Sequence, residues 1–290
     1  MSDMRWSPSL IREIADRRCI IFLGAGASST SKGDGGKKPP SWKDFLEDAV
    51  RELNLTDDIK RLSKEKIDSM DYLNAAELIF SDINIPDSKD FFRQHFLTPR
   101  YTPSELHKIV HELDAKIVIQ TNYDVIYEKE CGPIDGENGY VVKRYYDENT
   151  LDDIRSPNRV IIKAHGCVKE PERLVLTRSQ YFNTKSQHQN FYHLLDGLFL
   201  THTILFIGCS LTDPDIQLIL ENTNISIKCA HPHYALMPSG EHSSIVNAIQ
   251  KAYNIRYIEY DNTNHDYSNF IPALNDLRNE VIALRSTVPS

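Results

Sequence analysis

The sequence contains no apolar run that approaches the roughly 20 residues needed to span a bilayer. Its first residues, "MSDMRWSPSLIREIADRRC", are polar and lack the apolar segment of a secretory signal. Positive charge is also scarce, because 33 Lys and Arg stand against 41 Asp and Glu, which gives a net charge of −8. These shortages predict a soluble cytoplasmic protein with no membrane association, and they argue against direct binding of nucleic acid.

Cysteine pairs are absent as well. The chain has five widely spaced cysteines, and no two of them form a CxxC pair. We therefore expect no structural zinc and no other bound metal. The only tight histidine pair, "HPH" at 231–233, contains a proline that suits a turn better than a closed metal site. An odd number of unpaired cysteines is typical of a reducing compartment.

What the sequence does contain is a series of short, nearly continuous apolar runs, which is typical of strands covered on both faces. Helix-like segments, notably 189–200 and 243–253, alternate with these runs and predict a doubly wound, mostly parallel Rossmann-like α/β sheet. A further strand followed by a polar loop is expected within 131–158. The six predicted strands are "CIIFLG" (19–24), "KIVIQTN" (116–122), "RVIIKAHG" (159–166), "TILFIGCS" (203–210), "HYALMP" (233–238) and "IRYIEY" (255–260).

The first two predicted strands are separated by more than ninety residues, far more than one crossover requires. We interpret residues 42–111, approximately, as a helical insertion lobe within a single domain that spans 1–290. Two stretches of this lobe, "DYLNAAELIF" and "DFFRQHF", are strongly apolar. They either pack inside the molecule or form a contact between subunits of a homo-oligomer, and the sequence leaves both readings open.

The stretch "IIFLGAGAS" (20–28) joins a buried strand to a turn that contains two glycines. Glycines at such a turn let a ligand approach the main-chain N–H groups closely. If a helix follows, its first N–H groups and its dipole favour an anion such as a phosphate. The simpler alternative is a tight strand-to-helix turn without a ligand.

Three further strands also end in polar residues. Their ends read "QTNYD" (120–124), "KAHG" (163–166) and "IGCSLTDPDI" (207–216). In open parallel sheets, ligands bind beyond the carboxyl ends of the strands, near the point where the strand order reverses. Four such ends in one chain favour a nucleotide pocket over four unrelated turns.

Three side chains in these ends suit a catalytic role. Asn122 offers an amide, Asp124 a carboxylate, and His165 an imidazole of the kind that changes charge near neutral pH and acts as a general base. Each also has a structural alternative. Asp124 suits the cap of a helix beginning at Val125, Asn122 suits a turn, and a histidine at the end of a strand is often structural.

In this order and context, "GAGAS", "QTNYD", "KAHG" and "IGCSLTDPDI" resemble the sirtuin fold, and most closely its bacterial, defence-associated branch. The resemblance covers roughly residues 15–260 and implies a pocket for NAD. It also implies a role for each of ten residues. These are Gly24, Ala25, Gly26 and Ser28 around the pyrophosphate, Asn122 and Asp124 towards the nicotinamide ribose, Thr121 as a further NAD-binding residue, His165 as the catalytic histidine, and Gly208 and Ser210 at the adenosine half.

The departures from the sirtuin pattern matter too. Deacetylase sirtuins carry two zinc-binding CxxC pairs, and they follow the glycine turn with a Gly-Ile-Pro-Asp-Phe-Arg stretch where this chain reads "KKPPSWKDF". Trp42 is the residue of this stretch that suits a cover over the nicotinamide. These differences disfavour an acyl-peptide groove.

The resemblance therefore implies an NAD glycohydrolase, with NAD as its substrate and no separate cofactor. It looks like a regulated, NAD-depleting effector of anti-phage defence, as in Thoeris systems or in systems with a HerA-type hexameric ATPase. The length of the chain and the lack of a recognisable sensor segment favour the HerA-type partner and a homo-oligomer. The alternatives are a sirtuin-type deacylase or ADP-ribosyltransferase, and a non-catalytic sensor of NAD or ADP-ribose.

Overall fold

The computed structural model describes residues 5–81, 83–132, 139–211, 216–217, 219–221 and 231–287. Within them, seven strands form one parallel sheet in the order β3-β4-β2-β1-β5-β6-β7. The predicted α/β class is confirmed. The strands are β1 Cys19–Leu23, β2 Ile117–Gln120, β3 Tyr140–Arg144, β4 Arg159–Lys163, β5 Thr203–Ile207, β6 His233–Pro238 and β7 Ile255–Tyr260.

Helices surround this sheet. They are α1 Pro8–Ala15, α2 Ala25–Ser28, α3 Trp42–Glu52, α4 Asp57–Asp68, α5 Tyr72–Phe80, α6 Ile85–Phe96, α7 Glu105–Glu112, α8 Ile126–Cys131, α9 Thr150–Arg155, α10 Arg178–Gln187, α11 Gln189–Thr201, α12 Ser243–Tyr253 and α13 Phe270–Thr287. α9 lies where the sequence predicted only a polar loop, because a helix this short shows no clear helical periodicity in the sequence. None of the helices in these parts of the chain has both the length and the apolar character needed to cross a membrane.

Both faces of the sheet are covered, which explains why the strands read as unbroken apolar runs. In β1, Ile21 and Leu23 point into a core formed with α1, α7 and α13. Their neighbours Ile20 and Phe22 point into the opposite core, which α11 covers. Because successive side chains of a strand alternate between its faces, a strand between two cores has no polar face.

Helices α3 to α6 form a separate helical region with an aromatic core. Phe45 lies at its centre, with ring centroids 5.1 Å from Phe91, 5.5 Å from Phe92 and 5.1 Å from Phe96. The apolar stretches of the predicted lobe thus place their largest rings inside this region. α7, by contrast, packs into the core of the sheet. The outline of the lobe at 42–111 stays a prediction.

Candidate active site

The four polar strand ends leave the sheet at the same level. Leu23 of β1 is in register with Gln120 of β2 and with Ile207 of β5, and Gln120 is in register with Lys163 of β4. Strands β2, β4 and β3 lie on one side of β1, and strands β5, β6 and β7 lie on the other. The strand order therefore reverses at β1, where open α/β sheets bind their ligands.

The glycine turn after β1 contacts the end of β5 directly. Gly24 donates its N–H to the carbonyl of Ile207 (3.1 Å), and Gly26 donates to Gly208 (2.9 Å). A Cβ on Gly24 or Gly26 would lie 2.5 Å or 2.9 Å from backbone atoms of Gly208. Gly208 itself has φ of +66°, and a Cβ there would lie 2.3 Å from the nitrogen of Ala27. These glycines are therefore needed for two loops to pack, whether or not a ligand binds.

This contact changes the expected phosphate cradle. The N–H groups of Gly24 and Gly26 are already donated within the protein, and α2 has only four residues. Ala25 is the exposed residue of the turn, whereas Ser28 is buried. Contacts between this turn and a pyrophosphate stay a prediction. Ala25 is better placed to make them than its neighbours, because it is exposed.

Asn122, Ser28 and Asp124 form a buried hydrogen-bond chain. Asn122 donates from Nδ2 to the carbonyl of Gly24 (2.9 Å) and to Ser28 Oγ (3.0 Å). Ser28 Oγ in turn donates to Asp124 Oδ2 (2.7 Å). The other carboxylate oxygen, Oδ1, accepts the N–H of Ile126 (2.9 Å) at the start of α8. Asp124 thus binds the first N–H of α8 from one position before the N-cap residue, Val125, and it also holds Ser28.

This chain fixes the orientation of the Asn122 amide. The carbonyl oxygen of Gly24 can only accept a hydrogen bond, so the atom of Asn122 that faces it must be Nδ2. Both hydrogens of Nδ2 are then used, and the amide oxygen Oδ1 is the atom left to bind a ligand. The arrangement gives Asn122 the directional acceptor that orients a hydroxyl or a water molecule.

His165 lies on the next strand at the matching position. It follows Lys163 by two residues, as Asn122 follows Gln120, and these two strand residues are in register. The imidazole is buried, with its Nδ1 3.3 Å from the hydroxyl of Tyr181 on α10. The candidate base and the candidate amide therefore emerge side by side at the edge of the sheet.

A buried ion pair underlies these loops. Lys163 has no exposed surface, and its Nζ donates to Glu128 Oε1 (2.6 Å) and to the carbonyl of Asp124. Burial by itself lowers the pKa of Lys163, but the neighbouring groups, Glu128 foremost among them, together outweigh it, and the pKa lies above its ordinary value. This pair was not predicted, because a lysine at the end of a strand is usually solvated.

The remaining sequence candidates lie beside this group or outside the described residues. Thr121 is half-buried after β2, and Ser210 is exposed after β5. Residues 212–215, which supply the two carboxylates of "IGCSLTDPDI", fall outside the described residues, as does Cys229. The Trp42 ring stacks on Tyr72 at 6.3 Å within the helical region, so the structure gives no support to its role as a nicotinamide cover.

The sequence did not predict one group of potential metal ligands. Asp48 and Glu52 lie one turn apart on α3 and meet His95 of α6, with one ligand atom from each residue within 4.8 Å of the others. No short spacing joins α3 to α6, so the pattern is invisible in the sequence. Arg51 binds Asp48 and Glu52 and His95 contacts Asp48, which accounts for the group as an ion-pair network. The absence of a bound metal stays a prediction.

Comparison with known proteins agrees with this geometry. Residues 116–258 match the family described as the SIR2-like domain. The NAD(+) hydrolase ThsA of Enterococcus faecium is 31% identical over 224 residues, which cover 75% of this chain and 42% of that protein. The enzyme of the same name from Acinetobacter baumannii (strain 532279) is 23% identical over 252 residues, or 85% of this chain and 48% of that protein.

A third relative, defense-associated sirtuin 2 of Bacillus subtilis, is 26% identical over 220 residues, covering 72% of this chain and 20% of that protein. The chain thus carries a SIR2-like domain at residues 116–258, which make up just under half of its length. It spans about half or less of the length of these curated relatives.

Proposed function

We propose that the protein is an NAD glycohydrolase, which converts NAD and water into nicotinamide, ADP-ribose and a proton. The observation that carries this proposal is the pairing of Asn122 and His165 at matching positions of adjacent strands, beside the point where the strand order reverses. The printed names of the relatives, NAD(+) hydrolase, support the same chemistry.

The reaction does not need a strong nucleophile. When the bond between nicotinamide and C1′ of the ribose breaks, nicotinamide leaves as a neutral group and the ribose carries the positive charge. Water adds to C1′, and its proton leaves to a base. The protein contributes position and electrostatics, which supply much of the rate enhancement in reactions of this kind.

Each candidate residue has a role in this scheme. Asn122 orients the ribose or the water through Oδ1, the amide atom that the hydrogen bonds to Gly24 and Ser28 leave unused. His165 accepts the proton of the water or of a ribose hydroxyl. Asp124 acts on the site through Ser28 and through the start of α8, because its two carboxylate oxygens already accept hydrogen bonds.

We further propose that this activity depletes NAD in bacterial defence against phage and that it acts in the cytoplasm. The printed name of the Bacillus subtilis relative, defense-associated sirtuin 2, supports a role in defence. Such an activity must be restrained, and we propose a homo-oligomer and a HerA-type hexameric ATPase as the means. The predicted oligomer contact through "DFFRQHF" loses part of its basis, since Phe91, Phe92 and Phe96 are buried within the chain. Light scattering of the purified protein, alone and with the ATPase, tests both assemblies.

The decisive experiment is incubation of the purified protein with NAD and chromatography of released nicotinamide. We expect release by the wild type and none by Asn122→Ala, while the variant stays folded by circular dichroism. Asn279→Ala, an exposed asparagine on α13, is the matched control and should retain full activity. An inactive preparation is tested again with the ATPase partner.

Two alternative functions give different results in the same assay. A non-catalytic sensor would bind NAD or ADP-ribose by calorimetry and release no nicotinamide under either condition. A deacylase would release nicotinamide only with an acylated peptide. Near-normal release by Asn122→Ala would overturn the assignment of the site.

A further inference from the structure

One buried side chain reaches from the end of β4 to the loop that follows β2. Lys163 is the last residue of β4, two residues before His165, and it has no exposed surface. Its Nζ donates to the main-chain carbonyl of Asp124, in the loop that carries Asn122. The lysine thus belongs to the strand of the candidate base and holds the loop of the candidate amide.

Asp124 connects this lysine to the Asn122 amide. Its carbonyl accepts from Lys163, its Oδ1 accepts the N–H of Ile126 (2.9 Å), and its Oδ2 accepts the hydroxyl of Ser28 (2.7 Å). Ser28 Oγ also accepts Nδ2 of Asn122 (3.0 Å). Because all three oxygen atoms of Asp124 are held, a displacement of its backbone would move the Ser28 hydroxyl and, with it, the amide of Asn122.

Glu128 supplies the charge that lets this lysine be buried. Its Oε1 accepts from Lys163 Nζ at 2.6 Å, and it lies on α8, which begins two residues after Asp124. Burial of an unpaired ammonium group is costly and would lower its pKa. The neighbouring groups, Glu128 foremost among them, raise the pKa of Lys163 above its ordinary value instead. The side chain is therefore buried as a cation, which makes its hydrogen bond to the loop a charged one.

A buried ion pair at this place is a weak source of stability. Taking two charges out of water costs about as much free energy as their attraction returns, and apolar residues of similar volume often replace such pairs without loss. Ile161, two residues earlier on the same face of β4, lies in an apolar core. Two apolar side chains would fill the space of the pair, but they would leave the carbonyl of Asp124 without this donor. What the ammonium adds is a directed hydrogen bond between two strand loops.

We propose that Lys163 is a positioning residue, which fixes the loop of Asn122 relative to His165. It acts through the carbonyl of Asp124, and Glu128 is its counterion. The proposal rests on the proposed NAD glycohydrolase activity for the roles of Asn122 and His165. A misplacement of about 1 Å can cost about 10²-fold in a reaction that depends on position. Loss of the lysine should therefore reduce activity even where the protein remains stable.

The first test is hydrogen exchange measured by mass spectrometry, and it requires no activity. Lys163→Met alone would leave a buried carboxylate without its counterion and destabilise the fold, so the variant to use is Lys163→Met with Glu128→Leu. In the wild type we expect slow exchange in peptides that cover residues 121–126. In the double variant this exchange should rise about tenfold, the effect of one lost hydrogen bond to a charged group, while that of α13 stays unchanged. Fast exchange in the wild type, or unchanged exchange in the double variant, would overturn the proposal even if the protein cleaves NAD.

The neighbouring strand offers a matched control. Lys143 of β3 likewise donates to a carboxylate of the following helix, Asp153 on α9 (2.7 Å), and to a main-chain carbonyl, that of Glu148 (3.2 Å). These contacts hold the loop between β3 and α9, which carries none of the candidate catalytic residues. Lys143→Met with Asp153→Leu should leave both the exchange at 121–126 and kcat as in the wild type. An equal rise in exchange at 121–126 would mean that loss of any such pair loosens the sheet, and the proposal would fail.

The second test is the rate of nicotinamide release. Lys163→Met with Glu128→Leu should lower kcat about 10- to 10²-fold and change KM by less, while the free energy of unfolding in urea stays at or above that of the wild type. A purely structural pair would not separate activity from stability in this way. A double variant that keeps the wild-type kcat, or one that does not fold, would contradict the proposal. If no preparation cleaves NAD, the proposed function fails, while the exchange experiments still decide whether Lys163 fixes the loop.

Discussion

The carboxyl edge of the sheet and the helical region formed by α3 to α6 bury opposite kinds of side chain. The edge buries Asn122, Asp124 and His165, whereas the helical region buries phenylalanine rings around Phe45. Burying a polar group costs free energy unless a partner satisfies it, but burying an aromatic ring is favourable by itself. The buried polar groups of the edge therefore depend on their hydrogen-bond partners, whereas the rings of the helical region stabilise the fold by their burial alone.

The two regions meet at Tyr123, which stands between Asn122 and Asp124 in the sequence. Its ring lies edge-on to Phe96, with centroids 5.5 Å apart, and its hydroxyl donates to the carbonyl of Val175 (2.7 Å). Val175 in turn donates to the carbonyl of His165. One residue thus joins the aromatic core to both strand loops of the candidate site.

The largest expected effect separates activity from stability at the polar edge. His165→Ala should lower the rate of nicotinamide release by about 10²–10⁴-fold, as expected for a lost general base. Its midpoint of thermal unfolding should stay near that of the wild type. The assay is initial-rate chromatography, with the exposed His193→Ala on α11 as its control. A loss of less than about tenfold would mean that His165 is structural.

In the helical region, the expected effect of a substitution is on stability and not on activity. Phe45→Ala should lower the free energy of unfolding by about 3–5 kcal/mol, because it leaves a cavity among five neighbouring rings. Urea denaturation measures this loss. Phe182→Ala removes the same side chain where it is 74% exposed, and it should cost less than about 0.5 kcal/mol. Similar costs in the two variants would contradict the aromatic core.

The sequence predicts the features that depend on local patterns, and it does not predict those that depend on contacts between distant parts of the chain. The strands and the bounds of α12 were recognisable because apolar patterns and breaker residues are local. The meeting of Asn122 and His165 at one edge was predictable because the carboxyl ends of parallel strands lie together, and their roles stay a prediction. The contact of Tyr181 with His165 was not predictable, since only the path of the chain brings α10 over β4.

Two further contacts were not predicted, because each joins parts of the chain that are distant in sequence. The buried pair of Lys163 with Glu128 depends on strand register and on the direction of α8. The packing of Gly26 against Gly208 depends on two loops that are distant in sequence. A glycine pattern looks the same whether it faces a ligand or another loop, so only the structure distinguishes the two.

A third expected effect concerns buried histidines that the site does not use. Burial lowers the pKa of His107 and of His233 to about 4. Both accept a backbone N–H at Nδ1, His107 from Ser104 and His233 from Ile204, and protonation there would break these bonds. Unfolded histidine binds its proton near pH 6.5, so the unfolded state binds more protons between pH 6.5 and 4.

Their contribution to stability is therefore complete above pH 6.5 and is lost as the pH falls towards 4. From pH 7 to pH 5 the pair should cost about 2–4 kcal/mol of unfolding free energy, measured with urea at each pH. His107→Asn and His233→Asn should each reduce that dependence by about half. If neither variant changes the dependence on pH, the two rings are not buried in their neutral form.

The smallest expected effect compares glycines. Gly197 lies within α11, and a Cβ there would meet no atom within 4 Å among the described residues, in contrast to Gly26 at the polar edge. Gly197→Ala should raise the free energy of unfolding by about 1 kcal/mol, because alanine restricts the unfolded chain and adds no strain to the helix. Gly26→Ala should lower it, since its Cβ would lie 2.9 Å from the Cα of Gly208. Urea denaturation of both variants decides the comparison. If Gly197→Ala also destabilises the protein, α11 requires its glycine, and the contrast between a helical surface and a packed turn fails at this position.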